Sequence, residues 1–324
     1  MRRTPPALVV ALVSSLIGAT ACSPPGPPPY GFASAPEQRW KFQAEETFDV
    51  AGTAAKSVRL ANVILRARPE QSGETEVELL IDRYAARTEG TPDGGSELSI
   101  SEQGFWIQTK ETGRVGFGPN ERTLAGDTPL ELRERAVASA TLDTNGDVVA
   151  PIWQSPSPVL IDIALLDWIL FALPTRAPEG ERAWVAQRAL PQTGRFSLGV
   201  DLPVRWELDP AAPDTLRASG SLTRESMRVA NDLAGRLSID VRGQAKLLAD
   251  GRVREATFEL RLELTPDDGT SVSSRHLVRV ECESCDAPVN SPAQSSDSAG
   301  DREGIPQQGH LDDLPDHGGV RRGL

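Results

Sequence analysis

Residues 258–282 read FELRLELTPDDGTSVSSRHLVRVEC, and this stretch decides the fold. Phe258, Leu260, Leu262 and Leu264 alternate with Glu259, Arg261, Glu263 and Thr265, the period of two expected of a strand with one buried face. Asp268–Gly269 supplies a turn, and Val272, Ser274, His276, Val278, Val280 and Cys282 then share one face of a second strand. Upstream, Leu216, Ala218, Gly220 and Leu222 repeat the pattern, as do Leu237, Ile239 and Val241 with Ala245 and Leu247 beyond Gly243. Four such strands joined by short turns predict an antiparallel meander.

The rest of the chain extends this reading. Phe196–Val200 and Val204–Leu208 are expected as two short strands broken by Asp201–Pro203. Nearer the amino terminus, strands are expected from Trp40 and Phe42, over 58–65, over 77–81, at Phe105–Thr109 and near Val115–Phe117. The polar, glycine-rich stretch 85–96 (AARTEGTPDGGS) reads as a loop. Residues 130–142 (LELRERAVASATL) are ambiguous and are assigned to strand, because Asn145–Gly146 offers a hairpin turn into Val148–Val149.

One helix is expected, over residues 158–173. Ser157 and Pro158 suit its start, Pro174 and Pro178 its stop, and the intervening VLIDIALLDWILFAL is apolar on nearly every face. Such a helix needs covering on all sides, while Asp162 and Asp167 argue against a bilayer span. The expected fold is therefore mainly β: a curved antiparallel sheet or incomplete barrel with one central apolar helix packed on its concave side. Ile163, Leu166, Trp168 and Phe171 are the candidate lining of an apolar ligand cavity, and simple coverage of the sheet is the plainer alternative. No stretch resembles a βαβ unit.

The first 21 residues combine Arg2 and Arg3 with an apolar run from Ala7 to Ala21 and read as an export signal. Ala19-Thr20-Ala21-Cys22 resembles the lipobox of bacterial lipoproteins, which implies cleavage before Cys22 and lipid attachment to it. Ser23, rather than an aspartate, follows, so the expected destination is the outer membrane, at its periplasmic face or the cell surface. Residues 22–37 hold six prolines within SPPGPPPYGFASAP and are expected to form an extended tether. A β-rich body is expected over 38–285, as one unit or as two halves around helix 158–173. Residues 286–324, poor in apolar side chains and acidic, are expected to be disordered.

This order of elements resembles that of the LolA/LolB-like periplasmic lipid- and lipoprotein-binding proteins. The resemblance implies an incomplete barrel wrapped around helices and an ability to hold acyl chains. It rests on element order alone, and no motif of theirs maps onto individual residues here.

Little in the sequence promises chemistry. The formal net charge of −12 disfavours nucleic acid as a partner. Cys282 and Cys285 form a CESC pair flanked by Glu281, Glu283 and Asp286, whose charges oppose a thiolate, so a structural disulfide is expected rather than a redox centre. His276 lies on an apolar strand face and reads as a packed imidazole. With three histidines in the chain, neither a metal site nor a cofactor is expected. His310, Asp312, Asp313, Asp316 and His317 in the tail read as solvated residues. No nucleophile, base and electrophile are brought together by any motif, so an enzyme is not expected. Two functions remain: binding of an acyl chain or apolar small molecule, and docking of an envelope protein by a lipid-anchored assembly factor.

Overall fold

The computed structural model describes residues 37–285 except 51, 70–72, 92–93, 124–125, 151, 155–163, 192–198, 230–232, 250, 268 and 270. The expected signal segment, Cys22, the tether up to residue 36, the first part of helix 158–173 with Ile163, and the tail lie outside the described residues. Glu37, assigned above to the tether, already belongs to the first strand.

The amino-terminal strands are β1 (Glu37–Val50), β2 (Thr53–Pro69), β3 (Thr75–Glu89), β4 (Ser96–Ser101), β5 (Gly104–Thr109) and β6 (Gly113–Phe117). Helix α1 (Pro129–Glu134), β7 (Ala138–Leu142), β8 (Trp153–Gln154) and helix α2 (Ala164–Ala172) follow. The carboxyl-terminal strands are β9 (Ala183–Ala189), β10 (Asp201–Asp209), β11 (Ala212–Val229), β12 (Leu233–Leu247), β13 (Val253–Pro266) and β14 (Val272–Cys282).

All the strands belong to one antiparallel sheet, in the order β6-β5-β4-β3-β2-β1-β14-β13-β12-β11-β10-β9, with β7 branching from β3 and β8 from β7. The first strand therefore pairs with the last, from Trp40 opposite Cys282 to Val50 opposite Val272. That ladder joins the strands before α2 to those after it. β6 and β9 end the path and, among the described residues, do not pair with each other, so the sheet is not closed into a barrel. Register shifts at Asn62/Val63, Leu208/Asp209, Arg224/Met227 and Lys246/Leu247 interrupt the ladders, and irregularities of this kind bend a sheet and increase its twist.

The meander expected from 216 to 282 is present as β11–β14, with Phe258, Leu260 and Leu262 buried and Arg261 and Glu263 exposed. Three expectations need correction. Residues 85–89 are strand, because β3 pairs with β2 as far as Glu89, and the long hairpin imposes extended backbone on a polar sequence. Residues 129–134 are helix: Glu131 N–H donates to Thr128 Oγ1 (3.2 Å) and Thr128 N–H donates to Glu131 Oε2 (2.7 Å), a reciprocal capping box. Asp201–Pro203 lies within β10 rather than between two strands. The ladder with β11 begins at Arg205, so Pro203, which lacks a donor, sits where β9 alone is paired.

One apolar core unites Trp40, Leu65, Val77, Ile100, Trp206 and Leu260 from across the sheet with Leu166, Trp168 and Ile169 of α2. Full burial of each such large side chain contributes roughly 1.5–3 kcal/mol. Among the described residues no helix is long and apolar enough to cross a membrane.

Candidate functional site

Helix α2 lies against β13 and β14. The indole of Trp168 packs on the imidazole of His276, with 5.1 Å between ring centroids, and meets Phe171 edge-on at 6.2 Å. Phe171 in turn meets Phe258 at 6.0 Å, and Phe258 meets Trp206 of β10 at 5.6 Å. The three candidate lining residues that are described, Leu166, Trp168 and Phe171, are thus all buried, at 0%, 1% and 4% exposure.

The tryptophans of the core fall into two groups. Trp40 Nε1 donates to Gln38 Oε1 (3.1 Å) and Trp184 Nε1 to Thr175 Oγ1 (3.0 Å). Trp168 Nε1 and Trp206 Nε1 are buried and have no hydrogen-bond partner among the described residues. Both belong to the aromatic cluster, one at each side of the phenylalanine pair.

A polar constellation adjoins this cluster. Along β1 the buried face runs through Trp40, Phe42 and Ala44, and its next position is Glu46. Glu46 stands directly opposite His276 of β14, and its carboxylate accepts from Arg59 Nη2 of β2 at 3.0 Å. The two side chains are only 14% and 12% exposed. His276 Nε2 lies 3.1 Å from Ser274 Oγ and 3.9 Å from Glu46 Oε1. Burial lowers the His276 pKa from its ordinary value near 6.5 to about 4, and the charge of Arg59 adds to the shift. The imidazole is therefore neutral at pH 7. Ser274 and Glu46 approach the same ring nitrogen, which is not the relay of a serine nucleophile, where the hydroxyl and the carboxylate address opposite nitrogens.

The carboxyl end of α2 is held by Arg188 of β9. This buried guanidinium donates to the carbonyl of Leu170 and to that of Leu173 (2.8 Å), and its Nη1 lies 3.6 Å from Asp147 Oδ1. Cationic donors belong at this end of a helix, where carbonyls are unpaired and the dipole is negative. Burial lowers the pKa of Arg188, while Asp147 acts to raise it; burial also raises the carboxyl of Asp147. Beside this contact, Arg176 N–H donates to Asn145 O (2.8 Å).

Cys282 and Cys285 are joined by a disulfide, and both are buried. The small ring clasps the start of β1: Glu283 N–H donates to Arg39 O (2.8 Å), and Arg39 N–H donates to Ser284 Oγ (2.9 Å). Its part in the structure is to tie the last strand to the first. Among the described residues no group of three or more His, Cys, Asp or Glu side chains is placed to hold a metal ion.

Two clefts of about 550 Å³ each lie across β1, β14, β13 and β12. One is bordered by Phe48, Leu262 and Ser274, with Asp49, Asp240 and Glu263 nearby. The other is bordered by Glu45, Arg242, Glu259, Leu277 and Arg279. Neither is lined by Leu166, Trp168 or Phe171. Asp49 and Glu263 at the border of the first follow Phe48 and Leu262 in the alternation of β1 and β13, so they stand on the face of the sheet opposite to His276. Sequence reasoning found His276 but missed Glu46, Arg59 and Arg188, since charged side chains on a strand read as solvent-facing. The available signal was the position of Glu46, two residues after Ala44 and two before Phe48 on the same alternation.

No family model and no curated protein matches this chain. Twelve chains of known structure are similar to it. Lipovitellin, in a structure of its lipid–protein interactions, is 8% identical, with a TM-score of 0.44 over 81% of this chain and 26% of the lipovitellin chain. OccK5 (OpdH) of Pseudomonas aeruginosa is 8% identical with a TM-score of 0.27, over 78% of this chain and 99% of that one. The β domain of the Bordetella autotransporter BrkA is 10% identical with a TM-score of 0.22, over 76% and 99%. This chain thus spans about a quarter of the length of lipovitellin.

Proposed function

We propose that this chain is a cell-envelope lipoprotein, anchored at the outer membrane through lipid on Cys22, whose sheet and helix together bind an acyl chain or similar apolar ligand. In this reading the sheet curves around α2 as an incomplete barrel, with the helix on its concave side, and residues 22–36 form the tether. The observation that carries it is the pair of buried indole donors, Trp168 Nε1 and Trp206 Nε1, which have no partner among the described residues and lie inside an aromatic cluster. A buried donor without an acceptor costs roughly 1–3 kcal/mol. An ester or carbonyl oxygen on an otherwise apolar ligand satisfies it while the chain packs on Phe171 and Phe258.

The test uses the full-length protein purified from bacterial membranes. Organic extraction and native mass spectrometry should recover a stoichiometric acyl lipid, and bromine-tagged acyl chains should quench tryptophan fluorescence less in Trp168→Phe and Trp206→Phe. A ligand-free mass that persists after lipid addition, with no quenching, rejects the reading. A second reading, docking of an envelope protein, is favoured by β9: it ends the sheet, pairs only with β10 among the described strands, and leaves Val185 60% exposed. It predicts a crosslink from position 185 to a partner in place of bound lipid.

A further inference from the structure

Strand β9 ends the sheet, and its backbone is placed to pair a second time. Leu208 N–H donates to Arg182 O (2.9 Å) and Leu190 N–H to Val200 O (3.0 Å), which fixes the phase of the β9–β10 ladder. Trp184, Ala186 and Arg188 therefore turn their backbone groups toward β10, and Ala183, Val185, Gln187 and Ala189 turn theirs to the open edge. The side chains of Val185, Gln187 and Ala189 are exposed, Val185 at 60%. Among the described residues no strand covers this edge. Exposed edges are ordinarily blunted by proline, by charge or by shortness. β6, at the other end of the sheet, is five residues long, holds Gly113 and Gly116, and exposes Arg114. β9 has seven residues, no proline and no charge on its exposed side. Its one charged side chain, Arg188, is turned inward and engaged with the carbonyl of Leu173 and with Asp147.

We propose that β9 pairs with β9 of a second copy of this chain, antiparallel about a two-fold axis at Ala186, so that the two sheets continue into each other. The strand is self-complementary in this register. Across the two copies the axis pairs Ala186 with itself, Val185 with Gln187, Trp184 with Arg188 and Ala183 with Ala189, so all seven residues overlap. Like charges directly opposite would destabilise such a ladder, and here none oppose. Every N–H and C=O that the strand turns outward finds a partner. The chain's own outlying segments suit the edge poorly: residues 23–36 hold six prolines, and residues 286–324 lack the alternation of a strand. A second copy brings a matching, uncharged edge by symmetry.

The test uses the full chain in detergent, followed by analytical ultracentrifugation and by amide hydrogen exchange. One strand pair is a small interface, so half-association is expected at about 10 µM, and the protein mass should double between about 1 µM and about 100 µM. Over the same range the Val185 and Gln187 amides should pass from fast to slow exchange, while those of Trp184 and Ala186 stay slow throughout. Gln187→Pro removes an N–H that points to the open edge and not to β10, so it should keep the fold and weaken association by about tenfold or more. Val185→Lys sets a charge on the edge and should weaken association likewise, which keeps the test decisive if Gln187→Pro fails to fold. A protein that stays monomeric at about 100 µM, or a dimer that neither substitution weakens, overturns the proposal. A crosslink from position 185 to a different envelope protein overturns it too, because the edge then belongs to that partner.

Discussion

His276 should make this protein lose stability in mild acid, and the size of the loss follows from its surroundings. The imidazole is 2% exposed, is covered by the Trp168 ring of α2, and has Leu260 opposite on β13 and Glu46 opposite on β1. Glu46 would favour an imidazolium, but its carboxylate is engaged by Arg59, whose own charge opposes one. The ring therefore takes up a proton at about pH 4 in the folded chain, against about 6.5 when exposed. Between these values the unfolded chain binds a proton that the native state does not, so stability falls as pH falls. The loss is about 2 kcal/mol by pH 5 and approaches about 3 kcal/mol below pH 4. Urea unfolding of the native protein and of His276→Gln, followed from pH 7.5 to pH 4.5, isolates the effect, because the carboxyl groups titrate in both. The stability difference between the two proteins should shift by about 2 kcal/mol in favour of the variant between pH 7 and pH 5. Parallel curves across that range would refute the reasoning, since they would mean that the ring titrates alike folded and unfolded.

Three further outcomes follow from contacts elsewhere. Arg188→Ala strips the donor from the Leu170 and Leu173 carbonyls and leaves Asp147 without its cation, so urea unfolding should show a loss of about 3–5 kcal/mol; a loss below about 1 kcal/mol would show the contact to be idle. A Cβ at Gly243 would stand 2.6 Å from the Phe258 ring and 2.7 Å from Thr257 O, so Gly243→Ala should cost about 1–3 kcal/mol, measured the same way. Thr128→Ala removes one half of the capping box and should cost about 1 kcal/mol, with faster amide exchange confined to α1.

The carboxyl-terminal meander was legible because each strand pairs with its neighbour in sequence and presents an unbroken alternation. Other elements hid for physical reasons. β9 reads AWVAQRA, and its alternation is blurred: Trp184, Ala186 and Arg188 are buried while Val185, Gln187 and Ala189 are exposed, so apolar and polar side chains fall on both faces. β3 continues through Arg87–Thr88–Glu89 because β2 dictates its register, and composition alone cannot report a partner's length. The helix at 129–134 did carry its signal, Thr128-Pro129-Leu130-Glu131, and the downstream Asn145–Gly146 turn outweighed it in the reading. The β1–β14 ladder joins residues more than 200 positions apart, beyond the reach of any local pattern. The same ladder builds the Glu46–His276 pair, so this part of the candidate site was no more legible than the pairing that creates it.

That dependence bears on how the site and the open sheet are related. A closed barrel would join β6 to β9 by a continuous ladder; here the end of the path at β9 is instead connected inward, through Arg188, to the carboxyl end of α2 and to Asp147 in the turn after β7, a strand that branches from β3. The connection is polar and short: one guanidinium, one carboxylate at 3.6 Å, and the Arg176–Asn145 backbone bond. Separating such contacts disturbs far fewer bonds than unzipping a ladder, and local opening follows the elements with the fewest buried contacts. α2, which places Trp168 over His276 at its other contact, is therefore attached to the sheet by an aromatic face and to the rim by a handful of polar groups. Arg188 and Asp147 thus fasten the carboxyl end of α2, as Trp168 and Phe171 fasten its face to β13 and β14.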